Sequence, residues 1–266
     1  MKKFARYLYF GLCFLFLYAP IIVLIVFSFN QSKNRATFTG FTLKWYQDLF
    51  HNDLIMNSLW NTLIIAILAS IIATVIGTVA AVGINGMKRG MRNAMMNVTY
   101  LPVINPEIIT GISLMLMFVF IADLFGLELG FTTVLISHIT FCLPYVILNV
   151  LPKLRQMDPS IYEAAIDLGC TPVRAFLKVV IPEIMPGILS GFLMSFTFSL
   201  DDFIITYFTS GSSFQTLPVT IYSMTRMKVN PQINALSTLM FLAVLVLLLL
   251  MNVRSSRQTK LKGVSE

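Results

Sequence analysis

The sequence predicts an all-α membrane protein with six transmembrane helices. Three observations carry that expectation. The 266-residue chain is 57% hydrophobic and only 12% charged, whereas a soluble domain is about 25% charged. Its mean hydropathy of +0.81 means more apolar surface than a soluble chain of this length can cover. The few charges also bracket long uncharged intervals, each near the ~20 residues that cross a ~30 Å hydrocarbon core. The same figures exclude a soluble single-domain enzyme, a disordered chain and a fibrous protein.

The intervals follow in order. The first lies between Arg6 and Lys33, with its apolar centre over 8–29. The second lies between Asp53 and Lys88 and is expected to span 59–82. The third, from Arg92 to Asp123, is interrupted only by Glu107 and is expected to span 102–122. The fourth runs from Glu128 to Lys153, spanning 130–151. The fifth starts after Glu183, is expected over 186–208, and meets Asp201 and Asp202 near its far end. The sixth, between Lys228 and Arg254, is expected over 233–253. Strands would be about half as long, so each interval is read as a helix. Residues 1–266 thus form a single transmembrane domain, with 152–186 as its one long inner loop. Met1–Arg6 has the basic start of a signal peptide, but the apolar run behind it is too long and no small-residue cleavage site follows. An uncleaved first helix is expected.

The net charge of +7 reflects 19 Lys/Arg against 12 Asp/Glu. In a membrane protein such an excess marks cytoplasmic loops rather than a nucleic-acid partner. With the N-terminus inside, the outer loops hold only Lys33, Arg35, Lys44, Arg226 and Lys228, and every other basic residue is inner. Both termini are therefore expected in the cytoplasm. Cys13, Cys142 and Cys170 offer no disulfide framework and read as small hydrophobes.

The third interval contains Leu101-Pro-Val-Ile-Asn-Pro-Glu107. Proline removes a backbone donor and clashes with the preceding turn, so the helix is expected to break near Pro102–Pro106. It should restart with Asn105 as cap, Pro106 as the first helical residue and Glu107 in the first turn. Broken helices at membrane depth are tolerated only where they face protein or water, and they often line a substrate path. The inner loop is amphipathic. Ser160 with Glu163 suggests a capping box, Gly169 a left-handed stop, and Thr171-Pro172 the start of a second short helix. Such a pair of helices cannot bury both faces alone, so a soluble partner is expected.

Within that loop, Glu163-Ala164-Ala165, then Gly169, then Val179-Val180-Ile181-Pro182 resembles the EAA motif of ABC-importer permeases. Val179 and Ile181 depart from the usual Ile-x-Leu-Pro ending but stay aliphatic. The resemblance extends along nearly the whole chain and is nearest to the PotC-type permeases of spermidine/putrescine importers. It runs through Phe41-Thr-Leu-Lys-Trp-Tyr46, Pro106-Glu-Ile-Ile109, Ser137-His-Ile-Thr-Phe-Cys-Leu-Pro144, Ser195-Phe-Thr-Phe-Ser-Leu-Asp-Asp202 and Leu217-Pro-Val-Thr-Ile-Tyr-Ser223. Glu107 stands where those proteins carry Asp, so its carboxylate reaches one methylene further.

The resemblance implies a type I ABC-importer permease fold (MetI-like) in a bacterial cytoplasmic membrane. It implies four kinds of partner: a PotB-type sister permease, two PotA-type ATPase subunits, a PotD-type extracytoplasmic polyamine-binding protein, and the polyamine itself. Some relatives fuse the permease to the binding protein; the chain ends soon after its sixth span, so no fusion is expected. It also implies that Glu163, Ala164, Ala165, Asp167 and Gly169 couple the chain to the ATPase. The chain has no G-x-x-x-x-G-K-[ST] phosphate loop, so ATP and Mg are expected on the partner ATPase and no cofactor or metal on this chain. No nucleophile–base pair is found, and a polytopic membrane enzyme would need one. An ATP-independent cation transporter, or a permease for another small organic cation, remains as an alternative.

Asp201 and Asp202 are the leading substrate-path candidates, because intramembrane carboxylates are costly and a polyamine is a chain of ammonium groups. If the fifth helix starts near Pro186, Asp201 lies about 22 Å along it, in the outer half. The alternative is that the pair merely ends or caps the helix. Glu107 reads equally as a cation ligand or as a complement to the helix dipole. Trp45, with Tyr46 beside it, reads as an interfacial aromatic, or by the resemblance as part of the outer path. Ser199 is placed either to donate to a carboxylate or to bond back along its helix, and Tyr222 is a weaker outer-loop candidate. Of the two histidines, His51 and His138, the latter is expected to be a hydrogen-bonded structural residue.

Overall fold

The computed structural model describes residues 2–32, 37–126, 128–227, 231–242 and 245. These residues form α1 (Lys2–Ser28), α2 (Lys44–Phe50), α3 (Asp53–Gly86), α4 (Arg89–Ile104), α5 (Glu107–Phe125) and α6 (Phe131–Gln156). Then come α7 (Pro159–Asp167), α8 (Pro172–Ala175), a π-helical turn (Phe176–Val180), α9 (Ile181–Asp201), α10 (Ile204–Thr209) and α11 (Leu217–Met227). Residues 231–242 are helical too. Among the described residues the one β contact is an isolated bridge between Asn30 and Phe41. Five helical stretches are long and apolar enough to cross a bilayer: Tyr7–Ser28, Asp53–Gly86, Glu107–Leu124, Phe131–Gln156 and Pro172–Asp201. About half of the sixth expected span, 233–253, lies outside the described residues, as do Lys33, Arg35, Lys228 and the basic C-terminal residues.

The chain divides into two compact units, Asn57–Thr220 and Met1–Met56 with Ile221–Glu266. In the first, α6 packs along α9 at backbone contact. A Cβ added at Gly191 would stand 3.1 Å from the Val146 Cα, and one at Gly187 would stand 2.9 Å from the Asn149 carbonyl oxygen. On α3, a Cβ at Gly77 would meet the Val146 side chain at 2.7 Å. Lipid tails are as apolar as leucine, so helices in a membrane associate through such close, small-residue contacts rather than by hydrophobic expulsion. Around the seam lies a buried core of Phe141, Val150, Leu151, Ile184 and Ile205. The start of α11 and the chain just before it are pinned to α3: the Leu217 amide donates to the Thr62 hydroxyl at 2.7 Å, and the Asn61 side-chain amide donates to the Gln215 carbonyl at 3.0 Å.

In the other unit, α1 exposes its apolar side chains on all sides, Phe16 at 81%. The loop after it folds around Asn30, whose side chain accepts from the Thr39 amide at 3.0 Å and donates to the Thr37 carbonyl at 2.9 Å. Trp45 is buried in this unit, and its indole N–H donates to the Asn30 carbonyl at 2.7 Å. Tyr46 pairs with the Ser28 hydroxyl at 2.7 Å. Both aromatics therefore fasten α2 to the end of α1.

Several expected boundaries move. Pro102 lies inside α4, and the break falls at Asn105–Pro106. Asn105 has ψ 141° because the residue before a proline is pushed out of the α region. Asn105 thus ends α4, while Pro106 precedes α5 as its cap position and Glu107 is the first helical residue. The third span accordingly starts at 107, not 102. The second short helix of the inner loop is not separate, because Pro172–Asp201 is continuous helix. Pro182 explains the π turn in that stretch. Proline has no N–H and its ring crowds the carbonyl four residues back, and the ladder widens so that the Ile181 amide donates to the Phe176 carbonyl, five residues back. The fifth span therefore begins well before Pro186 and stops at Asp201 rather than 208.

Candidate functional site

Asp201 and Asp202 sit where α9 gives way to α10, and the two aspartates do different jobs. Asp202 has ψ 124°, which ends α9. Its side chain is buried and caps α10: the Ile205 amide donates to Oδ1 at 3.3 Å, and both the amide and the hydroxyl of Thr206 donate to Oδ2 at 2.8 Å. Unpaired helix-start amides inside a membrane are costly, and a carboxylate is a strong acceptor for them. The capping alternative for Asp202 is thus the geometry found. Asp201, one residue earlier, is exposed.

His138 on α6 completes the buried cluster. Its Nε2 lies 2.9 Å from the Thr206 hydroxyl and 3.4 Å from Asp202 Oδ2, and its Nδ1 lies 2.7 Å from the Ser199 hydroxyl. The Thr206 hydroxyl has a single proton, which it gives to the carboxylate. It therefore accepts from His138, and Nε2 carries the hydrogen. Ser199 bonds neither to a carboxylate nor back along its own helix, as its side chain was expected to do; it faces His138, and α6 supplies the partner.

Glu107 approaches from α5. One turn further along, a Cβ at Gly111 would lie 3.5 Å from the Ile204 carbonyl and 3.1 Å from the Phe208 ring. Residues four apart share a helix face, so Glu107 lies on the face that meets α10. The charges of Asp201 and Asp202 both reach it. Glu107's charge in turn reaches Tyr145, whose ring lies 4.5 Å from Phe198 and 5.4 Å from Phe141. Two helix breaks, at Asn105–Pro106 and Asp202–Phe203, thus place three carboxylates on the packed pair α5 and α10 and at the end of α9. Among the described residues neither Glu107 nor Asp201 has a cationic partner. An ammonium group is suited to that setting: carboxylates supply charge, and ring faces supply a cation–π surface. Trp45 belongs to the other unit, and Tyr222, which begins the second half of α11, lies with Arg226 5.3 Å over its ring.

Sequence reasoning missed Tyr145, Phe198 and Thr206. For Thr206 a signal existed: a hydroxyl four residues after an aspartate that stops a helix is the pattern of a cap. Nothing local marks Tyr145, because its relevance comes from α5 crossing nearby.

The α6–α9 connection forms the second feature. Asp158, not Ser160, caps α7, accepting the Ser160 amide at 3.0 Å, with Pro159 following as the first helical residue. No capping box with Glu163 forms. The Ser160 amide at 3.0 Å holds the Asp158 carboxyl below the usual carboxylate range. α7 ends at Gly169, with φ +85°. The Gly169 amide donates to the Ile166 carbonyl at 2.9 Å, and the Cys170 amide donates to the Ala165 carbonyl at 3.0 Å, the paired bonds of a Schellman stop. Ala165 is buried, whereas Glu163, Ala164 and Asp167 are exposed. Leu168 at 86%, Val173 at 67% and Leu177 at 58% exposure surround them.

The pattern of the family described as "Binding-protein-dependent transport system inner membrane component" matches residues 73–257. The chain is 43% identical over 235 residues to "Putrescine transport system permease protein PotI" of Escherichia coli (strain K12), covering 87% of this chain and 83% of that protein. It is 36% identical over 245 residues to "Spermidine/putrescine transport system permease protein PotC" of the same strain, covering 92% and 91%. Its fold matches a chain from a crystal structure of a bacterial ABC transporter involved in import of the acidic polysaccharide alginate, with a TM-score of 0.73 and 15% identity, over 94% of this chain and 95% of that one. At that identity the likeness is one of fold: an all-α ABC-importer permease. By the family pattern and the extent of these matches, the chain belongs to the binding-protein-dependent transport system inner membrane components.

Proposed function

We propose that this chain is the permease subunit of an ATP-driven importer of polyamines, spermidine or putrescine, in a bacterial cytoplasmic membrane. The observation that carries the reading is a pair of exposed carboxylates, Glu107 and Asp201, without a cationic partner among the described residues, each at a helix break where α5 packs on α10. Relatives at this identity are named for putrescine and spermidine/putrescine transport. Both termini lie in the cytoplasm, on the charge asymmetry of the loops.

The working unit pairs this chain with a sister permease. ATP, with Mg, binds and is hydrolysed on two ATPase subunits, which grip the exposed turn at Glu163–Gly169. The turn is joined through Pro172 to a helical run that ends at Asp201 and contains the π turn, so a push at the turn is delivered along that run toward Asp201. ATP binding favours the outward-open form, the binding protein releases its polyamine to the acidic groups, and hydrolysis resets the pair. Such a cycle works only because ATP prefers one form over the other.

The test is uptake of labelled spermidine and putrescine by the complete importer in vesicles. ATP-dependent uptake is expected, with Asp201→Asn lowering it at least tenfold at unchanged assembly. Asp202→Asn should also reduce the amount of assembled complex, because it weakens a buried cap. Undiminished uptake by an Asp201→Asn, Glu107→Gln double variant would remove the substrate assignment.

A further inference from the structure

His138 has no place in the cycle just described, yet it is 1% exposed and its two ring nitrogens are both engaged. Those two bonds reach opposite sides of the helix break. Nδ1 holds Ser199 in the last turn of α9, and Nε2 holds Thr206 in the first turn of α10 while standing 3.4 Å from the Asp202 carboxylate. Asp201 lies between the clamped points. Among the described hydrogen bonds of α6 no other spans the break in this way: Cys142 and Ser195 of α9 bond each other before the break, and Thr133 reaches the Thr209 carbonyl at the far end of α10.

We propose that His138 is a positioning residue for transport: by clamping α9 to α10 across the break, it fixes the direction in which the Asp201 carboxylate is presented. This rests on the reading that Asp201 and Glu107 meet the polyamine. The physical basis is the cost of a buried polar network that is only partly satisfied. Without the Nε2 donor, Thr206 and Asp202 lose their α6 partner, and α6 bonds α10 only at its far end, through Thr133 and Thr209. The angle between α9 and α10 at the break, and with it the direction of Asp201, is then less closely fixed.

The experiment compares three variants in the complete reconstituted importer, with uptake of labelled polyamine normalised to assembled complex. His138→Leu removes both polar atoms. His138→Gln keeps a donor near the Nε2 position. Thr206→Val removes the hydroxyl that links the ring to the carboxylate while preserving side-chain shape. Expected results are a loss of about tenfold for His138→Leu, recovery to within about threefold of wild type for His138→Gln, and a loss comparable to that of His138→Leu for Thr206→Val. A purely packing role would leave Gln no better than Leu, since packing asks for side-chain volume and not for a donor. Uptake by His138→Gln no better than by His138→Leu overturns the proposal. If His138→Leu does not assemble, wild-type uptake by Thr206→Val overturns it instead. Failure of the wild-type importer to move polyamine at all would overturn the substrate reading and this inference together, whereas wild-type uptake with unaffected variants would sink the inference alone.

Discussion

Replacing Gly169 isolates one backbone angle. Its φ of +85° lies where only glycine is at ease, and a Cβ built there meets nothing within 4 Å. A substitution is therefore penalised by conformation and not by crowding. An L residue in the left-handed region costs roughly 1–2 kcal/mol. That corresponds to a factor of about 5–30 in the balance between the closed turn and an opened one. A β-branched side chain sits at the upper end or beyond, and asparagine, which visits this region more readily, falls below the range. Opening the turn releases the Gly169–Ile166 and Cys170–Ala165 bonds, and with them the alignment of α7 against α8. The assay is polyamine moved per ATP hydrolysed in the complete importer. We expect Gly169→Val to reduce that ratio by roughly 5–30-fold, Gly169→Ala to lose less, and Gly169→Asn to stay near wild type. Normal coupling in Gly169→Val would refute the reasoning. So would an Asn variant as defective as Val, because that would point to the surface of the turn and not to its backbone.

Two further expectations concern packing and pH. Gly191→Leu should lower the melting temperature of the detergent-solubilised complex, because the new Cβ lies 3.1 Å from the Val146 backbone, which cannot swing aside, and overpacking costs about 1–3 kcal/mol. Gly83→Ala, on an exposed face with open space around it, should be neutral or gain up to about 1 kcal/mol from helix propensity. For Asp158, the folded-state value lies below the usual one, so the cap contributes fully above about pH 4 and is lost as the pH falls through the folded value. Amide exchange in α7 should therefore show no protection change between pH 8 and 5 attributable to this group, then weaken in more acidic solution. Asp158→Asn, which caps without titrating, should abolish that acid dependence, and an unchanged dependence would show that another group causes it.

How far the site could be read from the chain varies residue by residue. Glu107, Asp201 and Asp202 stand out because a carboxylate in an apolar interval demands a reason, and Gly169 because a helix pattern stops there with no other residue able to turn it. Which aspartate is buried was not legible. Both are adjacent, of one type, and in one interval, and the difference arises because α6 presents His138 to one of them. Ser160 had the right spacing for a cap, but the Asp158-Pro159 pair competes for the same role two residues earlier and wins: a carboxylate accepts more strongly than a hydroxyl, and proline is preset for the first helical position. The partner of Trp45 was not legible either, since nothing local marks the Asn30 carbonyl as the acceptor of its indole N–H.

Composition and the spacing of charges decided on their own that this chain lives in a bilayer as a series of helices. Lipid offers backbone groups no partner but the helix itself, and that constraint acts locally, so it is written locally. Where the helices stop, which side chains are sealed, and which carboxylates remain open depend on contacts between residues far apart in sequence, such as His138 with Thr206 and Gly191 with Val146. Those contacts exist only once α5, α6, α9 and α10 are packed, because a hydrogen bond or a close backbone approach needs both partners in place.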